Sequence, residues 1–243
     1  MRFRPALIGL CAALALVHAG PLAAQEVAQV LGVAIDRSEL TVAEGPAAEL
    51  GRLYDRVWQA VSRDYIRRNG LEATPEEIAE VLGYEREFER RDRGQRARKL
   101  EELERRLAGA GLEPAERARL EDFRGTLARL AQSDDESDRE PPDPQRGAAQ
   151  RAQWIELWKM NGALYRQYGG IVALTRFGPY PHGARLALIE DYERRGLLGF
   201  SDPQLRARLL EMLAARPTIV LAPEQVDFTP YWKRPIPPSY FAD

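Results

Sequence analysis

The chain has one cysteine, Cys11, and two histidines, His18 and His182, and no long apolar run beyond its first two dozen positions. Each scarcity removes a class of function. A single cysteine closes no disulfide within the chain, so packing must hold the fold together in any compartment. Zinc sites need three or four nitrogen or sulfur ligands at close spacing, and His182 stands alone in a turn between Pro181 and Gly183. No Gly-x-Ser-x-Gly elbow exposes a nucleophile, and no glycine-rich loop offers to cradle a phosphate. A formal charge of −2 lacks the concentrated basic face of a nucleic-acid binder. The sequence therefore predicts no catalytic residue, no metal, no cofactor and no nucleic-acid partner.

The first two dozen residues have the three-part pattern of an export signal. Arg2 and Arg4 precede an apolar run over residues 6–17, and small residues up to Ala24 offer a cleavage site before Gln25. The run is shorter than the roughly 20 residues that span a bilayer, so no integral membrane segment is expected after cleavage. Leu10 is too large for lipoprotein processing at Cys11. Cleavage after Ala24 removes the cysteine and two arginines, leaves a formal charge of −4, and directs the chain to the periplasm or outside the cell.

Residues 27–35 are rich in valine and isoleucine and are broken by Gly32, which tolerates the positive φ of a turn. Asp36 with Glu39 is a capping-box arrangement for a helix that Gly45-Pro46 interrupts after about two turns. Over residues 47–69, Leu50, Leu53, Tyr54, Val57, Trp58, Val61 and Tyr65 recur at spacings of three and four, sharing one helix face. Gly70 is placed to end that helix in the left-handed conformation. Thr74-Pro75-Glu76-Glu77 then combines a capping hydroxyl, a proline at the first helical position and a glutamate at the third. Ile78, Val81 and Leu82 form the buried stripe of the helix it opens.

Residues 27–40, and Gly70-Leu71 through Thr74-Pro75-Glu76-Glu77-Ile78, resemble the N-terminal domain of SurA-type periplasmic chaperones and parvulin-like foldases. The resemblance covers roughly a quarter of the chain. It implies a mainly α fold, a SurA N-terminal-like helical domain with a short N-terminal strand, in which a helix from late in the chain returns to complete the domain. The sequence departs from the family at Leu31, where asparagine is favoured, and at Gly45-Pro46, which breaks a helix the family keeps whole. Many relatives also carry a parvulin domain with a pair of core histidines. The corresponding stretch here has no histidine, so the resemblance implies a binding module without the isomerase insert.

That stretch, residues 85–132, is dense in arginine and glutamate, with one narrow apolar stripe in each half. It reads as two amphipathic helices joined at residues 109–114, a charged helical hairpin arm serving either as a solvated strut or as a clamp for a client. Opposite charges at spacings of three and four contribute about 0.2–0.5 kcal/mol per pair. Residues 133–147 are acidic and proline-rich without an apolar side chain, which predicts a disordered linker. Beyond it, residues 148–168 form a helix with a broad aromatic face, stopped by Gly169-Gly170. A short strand over 171–175, a turn-rich connector over 177–183 and helices over 184–195 and 204–215 follow. The tail, 217–243, holds six prolines and several aromatics and is predicted to lie extended over the body. The predicted organisation is thus a leader (1–24), a helical domain (25–132) carrying the arm, the linker (133–147), a C-terminal helical part (148–216) and the tail.

Aromatic side chains offer large contact areas with few geometric demands, which suits varied apolar segments. Tyr54, Trp58, Trp154, Trp158, Tyr165 and Tyr168 are therefore the candidate residues for binding unfolded or partner polypeptides, although helical aromatic stripes also serve as ordinary core. Three functions follow from the sequence. The first is an exported, non-catalytic, chaperone-like protein. The others are a dedicated interaction subunit using the arm, and a residual peptidyl-prolyl isomerase.

Overall fold

The computed structural model describes residues 25–40, 45–139 and 143–238, so the leader and the last aromatics of the tail, Tyr240 and Phe241, lie outside the described residues. Leu31 and Gly32, with φ of 51° and 82°, turn strand β1 (Glu26–Val30) back onto β2 (Val33–Asp36). Positive φ at both central positions gives a hairpin turn whose twist matches the strands it joins. A leucine there costs about 1 kcal/mol or more. The cost is offset because the Leu31 amide donates to the Leu197 carbonyl at 2.7 Å and its side chain packs on the core.

Helix α1 (Arg37–Leu40) is a single turn, with the Asp36 amide donating to Glu39 Oε1 at 3.3 Å. Helix α2 (Pro46–Arg68) buries Leu53, Val57, Val61 and Tyr65 from the predicted face, with Tyr54 and Trp58 half-buried beside them. It closes as predicted on Gly70, at φ 59°: the Leu71 amide reaches the Ile66 carbonyl and the Gly70 amide reaches that of Arg67.

Helix α3 (Pro75–Ala108) opens on the predicted capping box, the Glu77 amide donating to Thr74 Oγ1 at 3.2 Å and the Thr74 amide to Glu77 Oε2 at 2.9 Å. It runs unbroken for 34 residues, about 50 Å, so the helix starting at Pro75 and the outgoing half of the arm are one rod. Helix α4 (Pro114–Arg139) returns along it, with Leu103 and Leu127 buried. The linker predicted from Ser133 is corrected here, since residues 133–139 are the last turns of α4. Asp134 and Asp138 meet Arg96 and Arg93 of α3 at 2.5 and 2.7 Å, so acids without neighbouring apolar residues find their partners across the hairpin. Residues 140–142 lie outside the described residues. Helix α5 (Pro144–Tyr168) then starts, capped by the Asp143 carboxylate on the Gln145 amide.

Strands β3 (Ala173–Thr175) and β4 (Gly178–Tyr180) form a second hairpin, where the sequence predicts a strand and then only a turn-rich connector. Helix α6 (His182–Arg194), strand β5 (Leu198–Phe200) and helix α7 (Pro203–Ala214) complete the regular elements. The described part of the tail holds only two single turns, Pro223–Gln225 and Tyr231–Lys233. Among the described residues no helix is long and apolar enough to cross a membrane.

The main sheet has the order β2-β1-β5, antiparallel throughout. A bulge in β1 buries Val27 and Ala28 together, and the freed Val27 carbonyl accepts from the Ser201 and Asp202 amides at 3.0 and 3.2 Å. One core cluster draws Val57 and Val61 from α2, Met160 and Leu164 from α5, Leu188 and Tyr192 from α6, and Leu205 and Leu209 from α7. Between Met160 and Leu213, residues of α5, α6, β5 and α7 thus share one core with β1, β2 and α2. A smaller cluster of Val81, Ile155 and Trp232 fastens the tail between α3 and α5.

Candidate functional site

Helix α5 forms the floor of an open cleft. Along one side stands the β3–β4 hairpin, whose two-residue tip is Arg176-Phe177. Thr175 Oγ1 sets the tip by accepting from the Phe177 amide at 3.2 Å and donating to the Gly178 carbonyl at 2.9 Å. The tail lies along the free edge of β3, with backbone bonds from Leu174 to Ile219 and from Leu221 to Val172. The hairpin thus gains a third strand-like partner that fixes it over α5.

Phe177, 51% exposed, tilts over Trp154 with ring centroids 5.0 Å apart, and the Arg176 guanidinium lies 4.4 Å above its outer face. Trp158 lies deeper. Its Nε1 donates to the Phe228 carbonyl at 2.7 Å, and its ring meets Tyr231 and Trp232 edge to face. Tyr231 closes the far wall, donating to Glu85 of α3 at 3.3 Å, while Arg151 binds the other oxygen of that carboxylate at 2.8 Å. Burial, and then the Glu85 charge, pushes the Tyr231 hydroxyl up to about 12. These side chains enclose two adjoining cavities of about 480 and 360 Å³ that share Trp154, Trp158, Arg176 and Phe177.

Gly178 is required at the hairpin. Its φ is 101°, and a Cβ there would meet the Trp158 ring at 3.1 Å. Gly178→Ala is expected to lower stability by about 2 kcal/mol through backbone strain and crowding. Chemical denaturation measures the loss, and an altered near-ultraviolet tryptophan signal in the folded variant locates it at Trp158. An unchanged midpoint and spectrum contradict this.

Arg185 of α6 stands at the inner end of the smaller cavity. Its guanidinium carbon lies 4.1 Å from the Trp58 ring and 4.0 Å from the Tyr180 ring, and Nη1 donates to the hydroxyls of Tyr54 at 3.1 Å and Tyr180 at 2.7 Å. Tyr54 and Trp58 stack on each other, 6.1 Å apart. Burial pushes the Tyr54 hydroxyl up to about 12 against the opposing effect of the Arg185 charge, so it stays neutral at physiological pH.

Of the residues predicted from sequence, Trp154 and Trp158 line the cleft, and Tyr54 and Trp58 support Arg185 behind it. Tyr165 instead packs on Phe228 of the tail, 5.4 Å between centroids, and Tyr168 sits apart, half-buried against the main core. Sequence reasoning missed Asn161, Phe177, Tyr180 and Arg185 as cleft residues. One signal was present for Arg185, a lone charge inside the apolar run of residues 184–189. Compared with protein-family models, curated proteins and solved structures, the chain finds no match. Among the described residues no group of three or more potential metal-ligating side chains converges, and His182 stands alone at the start of α6 beside Tyr180. The arrangement offers apolar contact, stacking and one buried cation.

Proposed function

We propose that the chain is an exported, non-catalytic, chaperone-like module that binds unfolded or partner polypeptides in the aromatic cleft over α5. The observation that carries this reading is the pair of adjoining cavities walled by Trp154, Trp158, Phe177 and Tyr231, with Phe177 half in solvent at the lip. An apolar surface that opens to water and is braced by three separate segments offers side-chain pockets to a polypeptide. The sequence resemblance of residues 27–40 and 70–78 to SurA-type chaperones supports it, as does a core in which late helices join the N-terminal hairpin. In the arm, Arg93, Arg96 and Arg106 are matched by Asp138, Asp134 and Glu116 across the hairpin.

Purified protein at equimolar dose is expected to suppress aggregation of an unfolded outer-membrane protein, read by light scattering. Phe177→Ser should weaken suppression several-fold with little change in melting temperature, because the ring is half exposed. Full aggregation in the presence of the unaltered protein sinks the proposal.

A further inference from the structure

The inner cavity ends on two polar side chains whose hydrogen-bonding capacity is unmet. Arg185 is 6% exposed, its faces are covered by Trp58 and Tyr180, and its Nη1 is occupied by two phenols. Its Nε is covered and has no partner, and among the described residues nothing bonds to Nη2 and no carboxylate lies within ion-pair distance. Asn161, 8% exposed, has its Oδ1 covered and unpartnered in the same cavity.

A buried guanidinium without a counter-charge is costly, and so is a buried acceptor without a donor. The unpartnered Nε–Nη2 edge is the side of the fork that holds a carboxylate through two parallel hydrogen bonds. Asn161 Oδ1 needs an N–H. The apolar side chains around them, Trp154, Leu157, Trp158 and Phe177, need an apolar group. A monoanionic carboxylate, an adjacent N–H and an apolar side chain occur together in the last residue of a polypeptide.

We propose that the inner cavity binds the C-terminal residue of a polypeptide, with its carboxylate on Arg185, its backbone N–H on Asn161 and an aromatic or large aliphatic side chain against Trp154 and Trp158. The inference rests on the cleft being a polypeptide-binding surface and narrows the occupant from any apolar segment to a chain end. The volume of about 360 Å³ suits one large residue, and the adjoining cavity gives the preceding residues a way out past Phe177.

Calorimetry on the exported chain, residues 25–243, with an N-acetylated peptide of three alanines and a terminal phenylalanine tests this. The free acid is expected to bind at least about tenfold more tightly than the C-terminal amide, the discrimination expected of a charge-assisted bidentate contact. Arg185→Gln should erase the preference. Asn161→Asp, which puts a second carboxylate on the cavity, should weaken the acid and spare the amide, and it decides the matter if Arg185→Gln does not fold. Equal binding of acid and amide overturns the inference and leaves the proposed function standing. Binding of N-acetylphenylalanine alone, with neither peptide bound and no aggregation suppressed, overturns the polypeptide reading and makes the Arg185 cavity a small-acid site.

Discussion

Residues 25–139 expressed alone are expected to show no cooperative thermal transition and a red-shifted Trp58 emission, while keeping helical circular dichroism from the arm. In the whole chain β1 is the central strand, and β5, its second partner, lies some 170 positions downstream. The cut also removes Leu164, Leu188, Leu205 and Leu209, each fully or almost fully buried. At about 1.5–3 kcal/mol for each such side chain, their loss consumes most of the 5–15 kcal/mol by which an ordinary domain is stable. The α3–α4 hairpin loses the contacts of Val81 and Glu85 with α5 and the tail, but its seam and its cross-hairpin ion pairs lie within residues 75–139. A sharp unfolding transition with protected Val27 and Ala28 amides in the fragment contradicts the shared core.

The second large effect is at Asp64, 3% exposed on α2. Its carboxylate accepts from Tyr192 Oη at 2.9 Å, Arg67 Nη2 at 2.7 Å and Arg68 Nε at 2.7 Å. Asp64→Ala is expected to cost about 2–3 kcal/mol, chiefly because it strands the buried Tyr192 hydroxyl; both arginines still reach water. Tyr192→Phe should cost about 1 kcal/mol, and the double variant less than the sum of the two, as for any pair that shares one bond. The pH dependence has a definite sign. Burial raises the Asp64 pKa, but the bonds from Tyr192, Arg68 and Arg67 outweigh it and hold the carboxyl below its ordinary value. Its stabilisation is therefore complete above the unfolded pKa of about 4 and is lost as pH falls through the lower folded value. Asp64→Ala should flatten that acid limb in urea unfolding followed from pH 7 downwards. An acid limb as steep as in the unaltered protein contradicts the assignment.

The cleft was half legible. Trp154 and Trp158 stand out in the sequence as an aromatic face, but spacing does not tell a ring that meets a tail from one that meets water. Tyr165 has the same credentials and is covered by Phe228. Phe177 and Tyr180 read as parts of a turn because a three-residue strand carries no period, and β5 was invisible for the same reason.

The sequence by itself determined the capping box at Thr74 and Glu77, the stop at Gly70, the turn at Gly32, the inward face of α2 and the existence of a charged hairpin arm. All of these depend on groups within a few residues of one another or on a repeating period. Only the tertiary structure decided that Asp134 and Asp138 belong to a helix, that β5 closes the N-terminal sheet, and that Arg185 rests between Trp58 and Tyr180 with its Nε unpartnered among the described residues. Those outcomes depend on which distant group satisfies a charge, a strand edge or a ring face, and proximity of that kind exists only once the chain has folded.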